Sequence, residues 1–221
     1  MILEACVSTV EGLKAALEFN INRVEICQDL KVEGLTPSLK LQKEASSTFP
    51  GSRFIMIRPH SRNFEYNKIE VASMKKSILL AKKHGALGVV FGAISNSKIN
   101  LKVNEELIYT AKDLNLECTF HRAFDLCANK LISLEEIGQL GFDWVLTSGG
   151  ESTAEKGIKS LSKLIENNQR KVKILAGGGV NHSNCKKLKE IGVNGIHFSI
   201  DKNNAVERDK IKRILAELLL D

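Results

Sequence analysis

Eight short apolar runs alternate with eight helix-like segments along this 221-residue chain, and that alternation limits its fold more than any other feature. The runs are Ile2–Val7, Arg23–Cys27, Phe54–Arg58, Gly88–Phe91, Leu116–His121, Asp143–Thr147, Val172–Ala176 and Gly195–Ser199. The helical patterns are Val10–Phe19, Ser38–Ser46, Ile69–His84, Asn104–Leu114, Leu134–Leu140, Ala154–Asn167, Ser183–Ile191 and Ala205–Leu220. Strand and helix in strict turn imply βαβ units and a parallel sheet. Eight repeats with short connections predict one (β/α)8 TIM barrel over residues 1–221, with an open doubly wound sheet as the alternative. No linker or low-complexity segment divides the chain, and three prolines are too few to build one. Thr36-Pro37-Ser38 suits a helix start, while Gly85 and Gly141 suit left-handed helix caps.

In a barrel, successive strand residues alternate between the interior and the helix layer, and the helix-facing set must be apolar. Leu3, Ala5 and Val7 satisfy that in the first strand, which leaves Ile2, Glu4 and Cys6 inside. Val24 and Ile26 satisfy it in the second, leaving Arg23, Glu25 and Cys27 inside. The same parity turns Met56, Arg58, Thr119, His121, Val145, Thr147, His197 and Ser199 inward. One rule thus gathers Glu4, Glu25, Arg58, His121 and His197 into one interior. Buried charges there must pair with one another or with a ligand, and this many exceed what stability requires.

The stretch Thr119-Phe120-His121-Arg122-Ala123-Phe124-Asp125 is the densest cluster of chemistry in the chain. A strand ending in His, followed by Arg and then Asp, suits the barrel mouth, where ligands sit beyond the carboxyl ends of strands. There His121, Glu4 or Glu25 is a candidate general acid or base, and Arg122 with Asp125 would position it. The bland alternative is a structural His with an Arg–Asp pair pinning a loop. Gly177-Gly178-Gly179 follows the seventh strand and Ser199 ends the eighth, the place where many barrels bind phosphate through backbone N–H groups. Thr147 and Ser148 add hydroxyls at the same rim. With Arg58 and His197 these form a candidate anion-binding set.

Glu4-x-Cys6 and Glu25-x-Cys27 repeat one pattern at the ends of neighbouring strands. Strands ~4.8 Å apart let the two thiols face each other, and soft thiolates favour Cu(I) or Zn(II). Small, buried, inert Cys is the competing reading. The chain holds five cysteines, with no C-x-x-C pair, which argues for a reducing compartment and against a disulfide scaffold. A net charge of +6 spread over helix-like segments suits acidic metabolites, and with no clustered basic stripe it excludes a nucleic-acid footprint. No apolar run approaches the ~18 residues of a membrane span, and no signal-peptide pattern precedes the first strand. A cytoplasmic protein is expected. No Lys lies at the inward C-terminal end of a strand (Lys173 stands at the entry of its own), which counts against a Schiff-base aldolase, and no nucleophile elbow, Walker loop or dinucleotide fingerprint occurs.

These residues together resemble the CutC-type copper homeostasis proteins. The resemblance rests on Glu4-Ala5-Cys6-Val7, Arg23-Val24-Glu25-Ile26-Cys27, Gly34-Leu35-Thr36-Pro37-Ser38 and Met56-Ile57-Arg58-Pro59. It continues through Gly88–Gly92, Thr119–Asp125, Leu146–Gly149 and Gly177–Val180. It implies a (β/α)8 barrel, a cytoplasmic role in copper handling, Cys6 and Cys27 as Cu(I) ligands, and a homo-oligomer, a dimer or larger. The chain departs from the family at His60-Ser61-Arg62-Asn63-Phe64, where an Asp is lost and His60 is an added candidate ligand. Glu33 replaces a Gly before Leu-Thr-Pro-Ser, which predicts a stiffer loop.

Two functions therefore stand open. One is a Cu(I)-binding homeostasis protein built on Cys6 and Cys27. The other is an enzyme acting on a small phosphorylated or acidic metabolite, with Arg58 and the Gly177–Gly179 loop holding the anion.

Overall fold

Short, largely apolar runs of four to six residues form each strand, and each is followed by an amphipathic helix that covers it. The computed structural model describes residues 1–202 and 205–219. Its strands are β1 (Ile2–Val7), β2 (Arg23–Ile26), β3 (Ser52–Met56), β4 (Gly88–Phe91), β5 (Glu117–Phe120), β6 (Trp144–Thr147), β7 (Lys173–Ala176) and β8 (Gly195–Ser199). All pair in parallel, each with its neighbour in sequence, and β8 closes onto β1 with Glu4 opposite His197. The helices are α1 (Val10–Glu18), α2 (Leu39–Thr48), α3 (Lys68–Lys83), α4 (Leu101–Asp113), α5 (Lys130–Leu140), α6 (Ile158–Glu166), α7 (Cys185–Glu190) and α8 (Arg208–Leu219). This is the closed (β/α)8 barrel read from the sequence.

Local chemistry sets the ends. Ser38 accepts from the Leu41 N–H to start α2, and Asn67 with Glu70 forms a capping box on α3. Gly141 caps α5 in the left-handed region at φ 95°. The last helix starts later than the expected Ala205, because Ala205–Val206 pairs back on Asp201–Lys202 as a small hairpin. The expected end at Leu220 lies outside the described residues. A second hairpin, Ile94–Ser95 with Lys98–Ile99, sits after β4.

The main core lies between sheet and helices, and holds Ala5, Val7, Val24, Ile26, Val145 and Ile174. Two smaller clusters fill the barrel: Cys6, Cys27, Phe54, Met56 and Val90 in one, and Trp144, Leu146 and Leu175 in the other. The inward assignment of Val145 and Thr147 is thereby corrected. Val145 packs in the helix-facing core, while Trp144 and Leu146 occupy the interior. No described helix is long and apolar enough to cross a membrane.

Candidate functional site

The carboxyl ends of the strands surround a cavity of about 750 Å³. Glu25, Arg58, His121, His197, Cys6 and Ser199 all line it. Glu4 and Arg23 lie beneath, fully or almost fully buried.

The floor is an ion network built on strand register. Glu4 stands opposite Arg23 on one side and His197 on the other. Arg23 Nε donates to Glu4 Oε2 at 2.5 Å, and His197 Nδ1 lies 2.7 Å from Glu4 Oε1. The Arg23 guanidinium is sandwiched between the rings of Phe54 and Trp144, its Cζ 4.2 Å from each centroid. Gly88 makes room for that stack, since a Cβ there would fall 2.2 Å from Phe54 Cε1. Burial raises the Glu4 carboxyl, but Arg23 and His197 outweigh it and hold it below its usual range. For His197, burial opposes the charge, and Glu25, Cys6 and Glu4 together overcome it, holding the imidazolium well above the ordinary value. Burial pushes Glu25 up to about 7, with Glu4 adding to the rise and His197 pulling against it.

Above this network sit the thiols. Cys6 Sγ lies 3.2 Å from Cys27 Sγ and 3.5 Å from Glu25 Oε1. Cys6 is raised well above the usual thiol value by its hydrogen bond to Cys27, then by burial, then by the charges around it. Among the described residues, two groups bring ligand atoms within 4.8 Å of one another: Cys6–Glu25–Cys27 and Glu4–Glu25–His197. They differ in what they have free. Both Glu4 oxygens are already engaged, whereas Glu25 Oε2 is buried without a partner. Glu25 is common to both groups, so the engaged Glu4 is what sets the second apart.

Across the cavity, Arg58 Nη1 donates to the carbonyl oxygens of Val32 at 2.6 Å and Gly34 at 3.1 Å. His121 sits one residue past β5, 3% exposed, and accepts from the Ala123 N–H at Nδ1 over 3.4 Å. Burial and then the Arg58 charge push its imidazole down to about 3.

Arg122 and Asp125 form a knot beside the cavity. Arg122 Nε donates to Asp125 Oδ2 at 2.9 Å. Asp125 also accepts from Thr147 Oγ1 at 2.5 Å, Ser148 Oγ at 2.9 Å and Gly150 N–H at 2.9 Å. Thr147 and Ser148 thus serve the loop tie, and neither lines the cavity. Gly178 and Gly179 line it and Gly177 does not. Gly178 adopts φ +99°, and a Cβ there would come within 3.3 Å of Arg122 Cζ, so glycine lets that loop approach the guanidinium. Glu33 takes φ 66°, a left-handed conformation rare for such a residue, and its Oε1 lies 3.5 Å from Arg122 Nη1. His60 faces Glu70 at 3.4 Å and stacks near Tyr66, outside both metal-competent groups.

Sequence reasoning missed the aromatic supports, Phe54, Trp144 and Phe64. Phe64 was detectable, since its loop follows Arg58 directly. Lys210 and Asp201 were also missed: Lys210 Nζ donates to the Ser199 carbonyl at 2.7 Å, and Asp201 accepts from the Ser8 N–H at 2.6 Å.

The chain matches the CutC family model over residues 1–202. A CutC family protein of Bacteroides fragilis is 41% identical over 201 residues, covering 90% of this chain and 79% of its own. One from Glaesserella parasuis is 39% identical over 203 residues, covering 90% and 82%. Among solved structures, a CutC from Streptococcus agalactiae, put forward as a copper homeostasis protein, aligns with a TM-score of 0.83 at 31% identity. That alignment covers 89% of this chain and 97% of the other.

Proposed function

Because the chain belongs to the CutC family, we propose that it is a cytoplasmic copper homeostasis protein that holds Cu(I) at Cys6 and Cys27. The single observation that carries this reading is the 3.2 Å approach of the two sulfurs, Cys6 on the cavity wall and Cys27 fully buried. Two thiolates from adjacent strands present a soft donor pair, which selects Cu(I) over hard cations. Glu25, with one unpartnered oxygen, is the third donor in reach. All five cysteines are free, in keeping with a reducing compartment.

The chain's own residues set the terms of binding. The raised Cys6 holds its proton in the free protein, so taking up Cu(I) expels it, and affinity rises with pH. Glu4 and Arg23 orient His197, whose positive charge offsets that of a copper–dithiolate group. Copper K-edge absorption on anaerobically loaded protein tests the donor set. A shell containing two sulfurs is expected. A shell of nitrogen and oxygen alone would remove the reading.

A further inference from the structure

Two of the carboxylates in and around the cavity have cationic partners. Glu4 has Arg23 and His197, and Asp125 has Arg122. Arg58 breaks the pattern. It is a cation only 4% exposed, its guanidinium hydrogen bonds go to two neutral carbonyls, and it forms no ion pair among the described residues. Its Nε has no partner at all. A guanidinium stays charged under all physiological conditions, so a buried one without an anion is costly.

A second unmet donor lies beside it. The Nδ1 of His121 accepts a backbone N–H, which assigns the ring proton to Nε2. That Nε2 is buried without a partner. Phe64 clamps the pair, its ring 4.5 Å from Arg58 Cζ and 4.8 Å from the His121 ring. Thr119, two residues down the same inward face, carries a third unpartnered polar atom, Oγ1. Two of these unmet groups, Arg58 and His121, line a metabolite-sized cavity, while Thr119 is buried outside its lining.

We propose that Arg58 and His121 form a binding subsite for a small oxyanion, the carboxylate or phosphate group of an organic acid. The anion supplies the missing charge on Arg58 and accepts the His121 Nε2 proton. The half-buried Phe64 ring turns aside to admit it, a side-chain change common on binding. Nothing in this subsite requires the thiols or a metal.

The test uses metal-free, full-length protein, with inorganic phosphate and malonate as probes at constant ionic strength. Calorimetric titration and thermal melting are run on wild type, Arg58→Met and His121→Phe. Saturable binding is expected in wild type, weakened at least tenfold in each variant, and Cys6→Ser retains it. Response to phosphate alone assigns a phosphate ester, and response to malonate alone a carboxylate. Oxyanions excluded from protein surfaces stabilise most folds, so equal shifts in all three proteins overturn the proposal, as does absence of saturable binding. If Arg58→Met does not fold, His121→Phe decides alone. Loss of copper binding in Cys6→Ser with phosphate binding intact separates this site from the copper reading.

Discussion

The sulfurs of Cys6 and Cys27 lie 3.2 Å apart although the two residues are out of register on neighbouring strands. Cys6 stands opposite Glu25 in the ladder, and the Cys27 N–H continues that ladder by donating to the Val7 carbonyl at 3.0 Å. That extra step keeps Cys27 on the inward face. The thiols therefore meet diagonally, with the Glu25 carboxyl beside them.

Thiol reactivity in the metal-free protein should be low. All five cysteines are buried, and burial or its neighbours raise Cys6, Cys118, Cys127 and Cys185. Alkylation by a small iodoacetamide at neutral pH should be slow in the native state and reach five thiols per chain after denaturation. A fast-reacting Cys6 would contradict the environment described.

Arg23 is the keystone of the floor. Replacing it by Met leaves Glu4 buried with His197 alone, which should cost ~3–5 kcal/mol. Adding Glu4→Gln should recover part of that loss, because the two changes act on one pair. Urea denaturation of the single and double variants measures both effects. Strict additivity would contradict the coupling.

Asp125 ties two loops together through Thr147, Ser148, Gly150 and Arg122. Asp125→Ala strips acceptors from several donors at once and should destabilise by ~2–4 kcal/mol. Asp125→Asn, which keeps the shape, should cost less. Denaturation midpoints rank the two.

His121 gives a signed pH dependence. Its ring falls from an ordinary 6.5 to about 3, so the unfolded chain binds more protons between those values. Stability from the neutral ring is complete above pH 6.5 and is lost as pH falls toward 3, by roughly 5 kcal/mol in all. Glu25 acts in the opposite sense. Raised from 4.5 to about 7, it favours the fold below 4.5 and loses that contribution as pH rises through 7. His121→Phe should flatten the acid limb of a stability–pH curve, and Glu25→Gln should flatten the neutral limb. An unchanged acid limb in His121→Phe would contradict the buried neutral ring.

Much of the barrel was legible because strand and helix periods alternate cleanly and caps such as Ser38 and Gly141 mark the boundaries. The inward set was legible wherever a strand carried a charge to mark its face, as in Glu4–Cys6 and Arg23–Glu25–Cys27. It failed at β6, where Trp144-Val145-Leu146-Thr147 has no charge to break the tie between faces. Trp144 turns inward there to stack on Arg23, a partner from a strand across the barrel. Such pairings depend on closure and have no signature in local sequence. The Arg122–Asp125 pair was legible as a loop pin, but its further donors Thr147, Ser148 and Gly150 were not, since they come from the end of the next strand and its loop.

The central claim is tested most directly by anaerobic Cu(I) titration against a competing chelator, for wild type and the Cys6→Ser, Cys27→Ser double variant. One tightly bound equivalent per chain in wild type, absent from a folded double variant, is the expected result. Weak binding, unchanged when both thiols are removed, would contradict a copper site at the ends of β1 and β2.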